Sequence, residues 1–404
     1  MQSILVPEYY KKFQCIGGAC EDTCCAGWTI TVDKPTYQKY KKVKEPKLKE
    51  LLENKVKRDR KSKHDVAYAK IVLDENNLCP MVLEDGLCKI HKELGEKYLC
   101  NTCVTYPRHI TKVGTVIEKS LTLSCPEAAR LALLNKDGIG FEEVQEPINA
   151  RGTLAGILSL EKHPYFWDLR MFIISLIQNR QQSLEIRLML LGIFFQKLEE
   201  IRKGDYKEQL PILMQSIIDR FNDVDYIASL SKIDRNLHYQ LNLAKDLIRY
   251  RLSNTISSKK YLDILNQLIE GVSLGEGEKK WTIEESIEIY KAVDEKIYRP
   301  FISEHEYILE NYIVNYIYKN LFPYDKGTLF ESYMVLVINV SLIKIHLIGM
   351  AAKQNQLTTD MFIECIQQLS KTIEHNSAYL NGVCDGMKKS GYATLAHMCA
   401  LNKN

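Results

Sequence analysis

The sequence predicts a mainly α-helical chain, with a large helical domain preceded by a small Cys-rich α+β module and no Rossmann sheet. Three observations predict it. Glycine and proline are scarce, at 20 and 11 in 404 residues, and so few breakers over so long a chain means long elements. From about Leu154 onward apolar residues recur at helical spacing. Nine of the 12 cysteines fall before residue 126, a local concentration that a helical core does not call for. At roughly 150 residues per domain the length suits two or three domains. The boundary is placed near residue 150, giving a Cys-rich module at 1–150 and an all-helical domain at 151–404.

The first stretch, to about Thr31, ends in the run Cys20-Glu21-Asp22-Thr23-Cys24-Cys25-Ala26-Gly27-Trp28. Asp33 before Lys34-Pro35 has the form of a helix N-cap and opens an inserted basic helical segment at 34–63. Its 13 Lys/Arg against 4 Asp/Glu make it +9 in a chain of net +3, leaving −6 for everything else. The spacing of Tyr37, Tyr40, Val43, Leu48, Leu51 and Leu52 suggests amphipathic helices under a lysine coat. That coat reads either as a solvated face, since lysine stems cover apolar surface, or as an electrostatic dock for an acidic protein partner. Nucleic acid is the lesser alternative, through lysines interleaved with Tyr37 and Tyr40.

From Val66 to about Ala150 strands mix with short helices. Met81-Val82-Leu83 and Leu87-Cys88-Lys89-Ile90 flank Glu84-Asp85-Gly86, a hairpin signal. A second alternating pair surrounds Gly114, and Ser124-Cys125-Pro126-Glu127 has capping-box spacing before Ala128 to Leu134. Helical segments follow at Met171 to Ile201, Tyr307 to Leu321, Phe330 to Ala352 and Met361 to Glu374. Breaks are expected at Lys203-Gly204-Asp205, Gly271 to Gly277 and Phe322-Pro323-Tyr324-Asp325.

The N-terminus shows no apolar core of a signal peptide before Glu8-Tyr9-Tyr10-Lys11-Lys12. Tyr333 to Met350 is interrupted by Asn339, Lys344 and His346, short of the ~18 to 20 uninterrupted apolar residues of a bilayer span. A cytoplasmic protein with no membrane association is expected. In a reducing compartment the cysteines point to metal rather than disulfides.

The pattern is Cys15-x4-Cys20-x3-Cys24-Cys25, then Cys79, Cys88, Cys100-x2-Cys103 and Cys125. Thiolates bind zinc or hold iron–sulfur clusters, and ligands at short range read as one site or two. Only one Cys-x2-Cys pair is present, which weakens a zinc ribbon. The radical signature Cys-x3-Cys-x2-Cys starts at Cys20 and Cys24 but meets Gly27 where the third cysteine is needed. Steric constraint sets adjacent Cys24 and Cys25 apart, one toward metal and the other toward packing or a second site. Cys365, Cys384 and Cys399, isolated on helical pattern, read as small core hydrophobes.

Several runs resemble the flagellin lysine N-methylase (FliB-type) family. They are Phe13 through Cys15 to Trp28, Leu78-Cys79-Pro80 to Leu87-Cys88, Leu94-Gly95-Glu96-x-Tyr98, Thr102-Cys103-x-x-Tyr106-Pro107-Arg108 and Ser124 to Arg130. Glu310 to Tyr316, Asn320-Leu321-Phe322-Pro323 and Ile373-Glu374-His375-Asn376 resemble its helical part. The N-terminal part is also similar to Cys-rich zinc- or iron-chelating domains. The resemblance implies methyl transfer from S-adenosylmethionine to lysine side chains of flagellin, with a Cys-bound metal centre, [4Fe-4S] before zinc. The expected ligands are Cys15, Cys20, Cys24 or Cys25, Cys79, Cys88 and Cys103, with Cys100 and Cys125 as further candidates.

No Gly-rich turn follows a strand into a helix, so a doubly wound cofactor site is not expected. Domain junctions commonly form pockets, and the active site is expected between module and helical domain. Trp28, Tyr106 and Arg108 would there face Asn311, Tyr324 and Asn376 as cofactor-binding residues. His375, Glu374 and Tyr312 would be the catalytic set, with His375 or Glu374 taking the lysine proton. Bland readings stand beside these: tyrosine at helical spacing is commonly half-buried packing, and Glu374-His375-Asn376 also reads as a solvated helix end. His91, His109 and His163 read as structural, with His91 and His109 as reserve metal ligands. The rival function is a non-catalytic iron–sulfur or zinc protein whose helical domain binds a partner.

Overall fold

The computed structural model describes residues 2–147, 151, 154–201, 205–254, 256, 258–274 and 282–403. The chain divides into two compact units. One comprises Met1–Leu131, Gly140–Ile157 and Ile256–Lys259; the other comprises Ala132–Ile139, Leu158–Thr255 and Lys260–Asn404.

The strands are β1 (Gln2–Pro7), β2 (Thr31–Val32), β3 (Val56–Arg58), β4 (Ala69–Ile71), β5 (Arg108–Val113), β6 (Val116–Leu121), β7 (Phe141–Glu146) and β8 (Leu154–Leu158). A five-stranded sheet has the order β7-β1-β6-β5-β8, and a second sheet the order β2-β4-β3. β1 runs parallel to β6 with Ile4 opposite Ile117, and antiparallel to β7. β5 and β6 form the hairpin expected around Gly114, which takes the left-handed φ of 57° that its tight turn needs. The large sheet is mixed and carries no Rossmann arrangement.

Two expectations are corrected in this unit. Leu154–Leu158 is a strand rather than the start of the helical region, which begins at Phe166. Gly156 and the β-branched Ile157 lower its helix propensity, and five residues are too few for a helical period to hold. The hairpin at Met81 to Ile90 shrinks to a single bridge, Val82 to Cys88, because Cys88 already serves as N-cap of the helix that follows.

The short helices are α1 (Lys34–Tyr40), α2 (Pro46–Lys55), α3 (Lys89–Leu94), α4 (Asn101–Thr105) and α5 (Pro126–Leu133). Asp33 caps two of them. One carboxylate oxygen accepts the Thr36 amide at 3.0 Å and the other the Asn101 amide at 2.9 Å, so α1 and α4 start from one buried side chain. Tyr40, Val43, Leu48, Leu52 and Val56 of the basic segment turn inward onto Ile30, Val32, Met81, Ile90, Cys79 and Cys100.

The second unit holds α6 (Phe166–Gln178), α7 (Leu184–Glu200), α8 (Tyr206–Asn222), α9 (Val224–Ser231), α10 (Leu237–Leu252), α11 (Lys259–Gly271), α12 (Ile283–Val293), α13 (Arg299–Lys319), α14 (Leu329–Gln354), α15 (Thr359–Leu369), α16 (Ser377–Lys389) and α17 (Leu395–Asn402). The segment expected as continuous from Met171 to Ile201 breaks at 179–183, where Ser183 caps α7. The break expected at Phe322-Pro323-Tyr324-Asp325 is present. Those expected at Lys203-Gly204-Asp205 and Gly271 to Gly277 fall largely outside the described residues.

Helix α14 is the axis of this unit. It is long and apolar enough to cross a bilayer, with mean hydropathy 2.0 over its most apolar window, yet 94% of that window is buried inside the protein. Asn339, Lys344 and His346 are buried with it. A Cβ on Gly349 would lie 2.4 Å from the Cα of Leu268, so α11 and α14 touch backbone to backbone. Two π-helical turns, Asp294–Tyr298 and Ser370–Glu374, interrupt the bundle. Such bulges swing side chains off the regular helical face, and each carries a buried carboxylate.

Candidate functional site

In the first unit the nine cysteines fall into two neighbourhoods. Cys25, Cys79, Cys88, Cys100 and Cys103 pack into one core cluster, with Cys24 beside Cys25. Burial, with the Cys88, Cys100 and Cys24 charges behind it, pushes the Cys79 thiol up to about 11, and Cys88 rises for the same reasons. Cys100 and Cys103, 3.5 Å apart at Sγ, share a hydrogen. That bond draws Cys100 below the usual thiol range and Cys103 above it. Cys15, Cys20 and Cys125 form the other neighbourhood; burial and the charges of its two companions push Cys125 up to about 12. The ligand set expected from sequence therefore draws on both groups. Cys24 and Cys25 hold their Sγ atoms 3.9 Å apart. Among the described residues no three His, Cys, Asp or Glu side chains are gathered closely enough to hold a metal ion as they stand.

Trp28 and Tyr106 link the two thiol groups. Trp28 donates its indole N–H to the Cys24 carbonyl at 2.7 Å and tilts against Tyr106 with ring centroids 5.8 Å apart. The Tyr106 hydroxyl meets Ser124 Oγ at 3.2 Å, and Cys125 is its neighbour in charge. Arg130 of α5 pairs with Glu21 and Glu127, which ties the Cys20–Cys24 loop to that helix. Arg108 lies over the Phe13 ring at 5.5 Å and borders a cavity of about 210 Å³ with Ile4, Thr105, Ile110, Ile117 and Lys119.

In the second unit the structure brings Tyr312 and Glu374 together. The Tyr312 hydroxyl donates to Glu374 Oε1 at 2.9 Å, while Lys319 Nζ at 2.8 Å and Ser370 Oγ at 3.2 Å take Oε2. Burial works to raise the Glu374 pKa, but the Lys319 charge and the hydrogen bonds of Lys319 and Tyr312 outweigh it and hold the carboxyl below its usual value. Burial and that same carboxylate push the Tyr312 phenol well above its ordinary range. The cavity beside them, lined also by Asn339, Leu369 and Ile373, measures about 10 Å³, room for at most one water. His375, next in the chain, is an exposed residue. Packing on its inner side and the Lys319 charge lower the imidazole to about 4.

The other helical candidates have structural partners. Asn311 is fully buried and donates to the Leu133 and Asn135 carbonyls at 3.1 and 2.8 Å. Asn376 caps α16 by accepting the Tyr379 amide at 3.0 Å. Tyr324 tilts against His163 with centroids 4.1 Å apart, and burial pushes its phenol up to about 12.

Sequence reasoning missed Lys319, Ser370 and Asn339 around Glu374. The signal for Lys319 was its position seven residues after Tyr312, which puts a charge on the buried stripe of α13. It also missed the network in which Arg187 donates to Glu310 and Glu306, each at 2.7 Å, and Arg180 forks onto Glu310.

Comparison with known proteins bears on the whole chain. A family model described as the FliB lysine N-methylase C-terminal domain matches residues 170–401. The chain belongs to that family. A protein named Lysine-N-methylase from Salmonella choleraesuis (strain SC-B67) is 25% identical to this FliB-family chain over 392 residues, 93% of this chain and 92% of the relative. Its namesake from Salmonella typhimurium is 24% identical over the same shares. A protein named Flagellar biosynthetic protein FliU from Salmonella muenchen is 33% identical over 141 residues, 35% of this chain and 83% of the relative. No solved structure matches. These relatives give the FliB-family chain a methylase role.

Proposed function

We propose that the protein is an S-adenosylmethionine-dependent lysine N-methylase acting on flagellin in the cytoplasm, with an iron–sulfur centre held by its N-terminal cysteines. The observation that carries the reading is the likeness, over 93% of the chain, to proteins named Lysine-N-methylase, joined by the flagellar relative.

The module offers chemistry suited to both groups. Six neighbouring thiols are soft donors of the kind iron–sulfur clusters and zinc take, and the half-exposed Trp28 face beside Tyr106 suits a sulfonium cation. Arg108 suits the cofactor carboxylate. S-adenosylmethionine supplies an electrophilic methyl group, and a thiolate-held centre supplies charge and a covalent tie between distant cysteine stretches.

The chain's own residues then have separable tasks. Transfer needs a neutral lysine amine held in line with the methyl donor. Glu374, ionised and pinned by three donors, holds Tyr312 and Lys319 in place rather than moving a proton. His375, neutral at physiological pH, enters as proton acceptor. The test uses anaerobically purified protein: calorimetry with S-adenosylmethionine, and mass spectrometry of flagellin lysines after incubation. Cofactor binding with lysine methylation is the expected result. Stoichiometric metal without cofactor binding would instead select the non-catalytic metal protein.

A further inference from the structure

We propose that the basic segment at 34–63 is a docking surface for a carboxylate-rich protein surface, through which the enzyme captures its protein substrate; this rests on the protein-methylating reading above. Eleven of its thirteen basic residues are exposed, among them Lys41, Lys42, Lys44, Lys47 and Lys49. Among the described residues one ion pair, Lys34 with Asp65, neutralises any of the thirteen. Two of the four acids are spent on backbone: Glu45 accepts the Lys47 and Leu48 amides, and Asp59 the Lys61 amide. A face that served only solubility would mix signs, because like charges at close spacing repel and cost stability. This segment is +9 where the remainder of the chain is −6. The fold keeps that charge outside by turning Tyr40, Val43, Leu48, Leu52 and Val56 in.

That arrangement also selects among anionic partners. Single-stranded nucleic acid is held by exposed rings on which bases stack. Here Tyr40 is buried, and Tyr37 is partly covered, packed against Tyr68 at 5.4 Å. A bilayer surface is held by an apolar helix face that inserts. In α2 that face, Leu48 and Leu52, is already in the core, and no large apolar side chain at 34–63 is among the exposed ones. Flexible point charges with neither rings nor apolar wedges suit dispersed carboxylates, where they speed encounter and set salt dependence.

The experiment uses the full-length, metal-loaded protein and a variant carrying Lys41→Glu, Lys42→Glu, Lys44→Glu and Lys47→Glu. A second variant with glutamine at the same four positions guards against misfolding, and both are checked by thermal melting. Binding of labelled flagellin monomer and of poly-L-glutamate is measured at low salt, with RNA and anionic vesicles as competitors. Flagellin and polyglutamate should bind the wild type and compete with each other. Affinity should fall at least tenfold in the Glu variant and less in the Gln variant, with KM for flagellin raised and kcat kept. Equal flagellin binding by all three proteins overturns the docking surface and leaves the methylase reading intact. So does displacement of flagellin by RNA or vesicles but not by polyglutamate. Docking that behaves as stated without any methyl transfer leaves the surface standing and removes the methylase.

Discussion

Glu374 shows how much one carboxylate can organise. Its two oxygens take Tyr312, Lys319 and Ser370, and its own side chain is 8% exposed, Lys319 5%. Removing one partner of such a pair strands the other charge in the interior, a loss of about 3 to 5 kcal/mol. Glu374→Gln should therefore lower the urea midpoint strongly, and Glu374→Gln with Lys319→Met should recover part of it; equal midpoints for wild type and the single variant would contradict the arrangement. His346 makes a second residue-scale prediction. Its Nδ1 bonds the Leu342 carbonyl at 2.7 Å, which leaves Nε2 buried with no partner, and burial lowers the pKa from 6.5 to about 4. Between those values the unfolded chain binds the proton and the native one does not, so stability falls as pH drops from about 6.5 toward 4, by about 3 kcal/mol in all. Unfolding at pH 7.5 and pH 5 should show about 2 kcal/mol of that fall, and His346→Phe should remove this share of it. Neither feature was legible in the sequence. A lysine or glutamate inside a helical run reads as its solvated side until packing shows which face is inward. Tyr312 and Glu374 were nameable as candidates, but not as each other's partners.

Elements were legible where the sequence carries its own stop signals. Asp33 before Lys-Pro gave the start of α1, and Gly114 gave the β5–β6 turn, because capping and positive φ are local requirements. The break at 179–183 was hidden, since Asn-Arg-Gln-Gln-Ser contains neither glycine nor proline and apolar period resumes at Leu184. Leu154–Leu158 was misread for a related reason: five residues are too few to separate a strand period from a helical one. The crossing of α11 and α14 is a third kind of case, visible only in space. Gly349 there faces Leu268, and Gly271 would place a Cβ 2.2 Å from the Gly349 carbonyl. Gly349→Ala must push two helices apart, at roughly 1 to 3 kcal/mol. Its melting temperature should drop despite the better helix propensity of alanine; a rise would mean that the helices do not meet there.

At the scale of the molecule the fold class follows from scarcity of breakers, whereas the thiol groupings required the fold. Cys15, Cys20 and Cys125 are brought together across more than a hundred residues, a pairing that spacing along the chain cannot reveal. If a metal centre closes such loops, its binding energy is also folding energy. Cys88→Ser should then melt early and yield less soluble protein, while Cys384→Ser, a buried thiol of the helical unit, should retain full iron content; iron and acid-labile sulfide assays distinguish the two. Helix α14 carries a consequence for how the chain is made. Its neighbours in the finished bundle include α15, α16 and α17, all synthesised after it. While the ribosome is still completing them, a stretch with the hydropathy of a membrane anchor stands without its C-terminal cover. A chain cut after Gln354 should therefore leave that face of α14 bare, and should aggregate or bind an apolar-surface dye where the full chain does not.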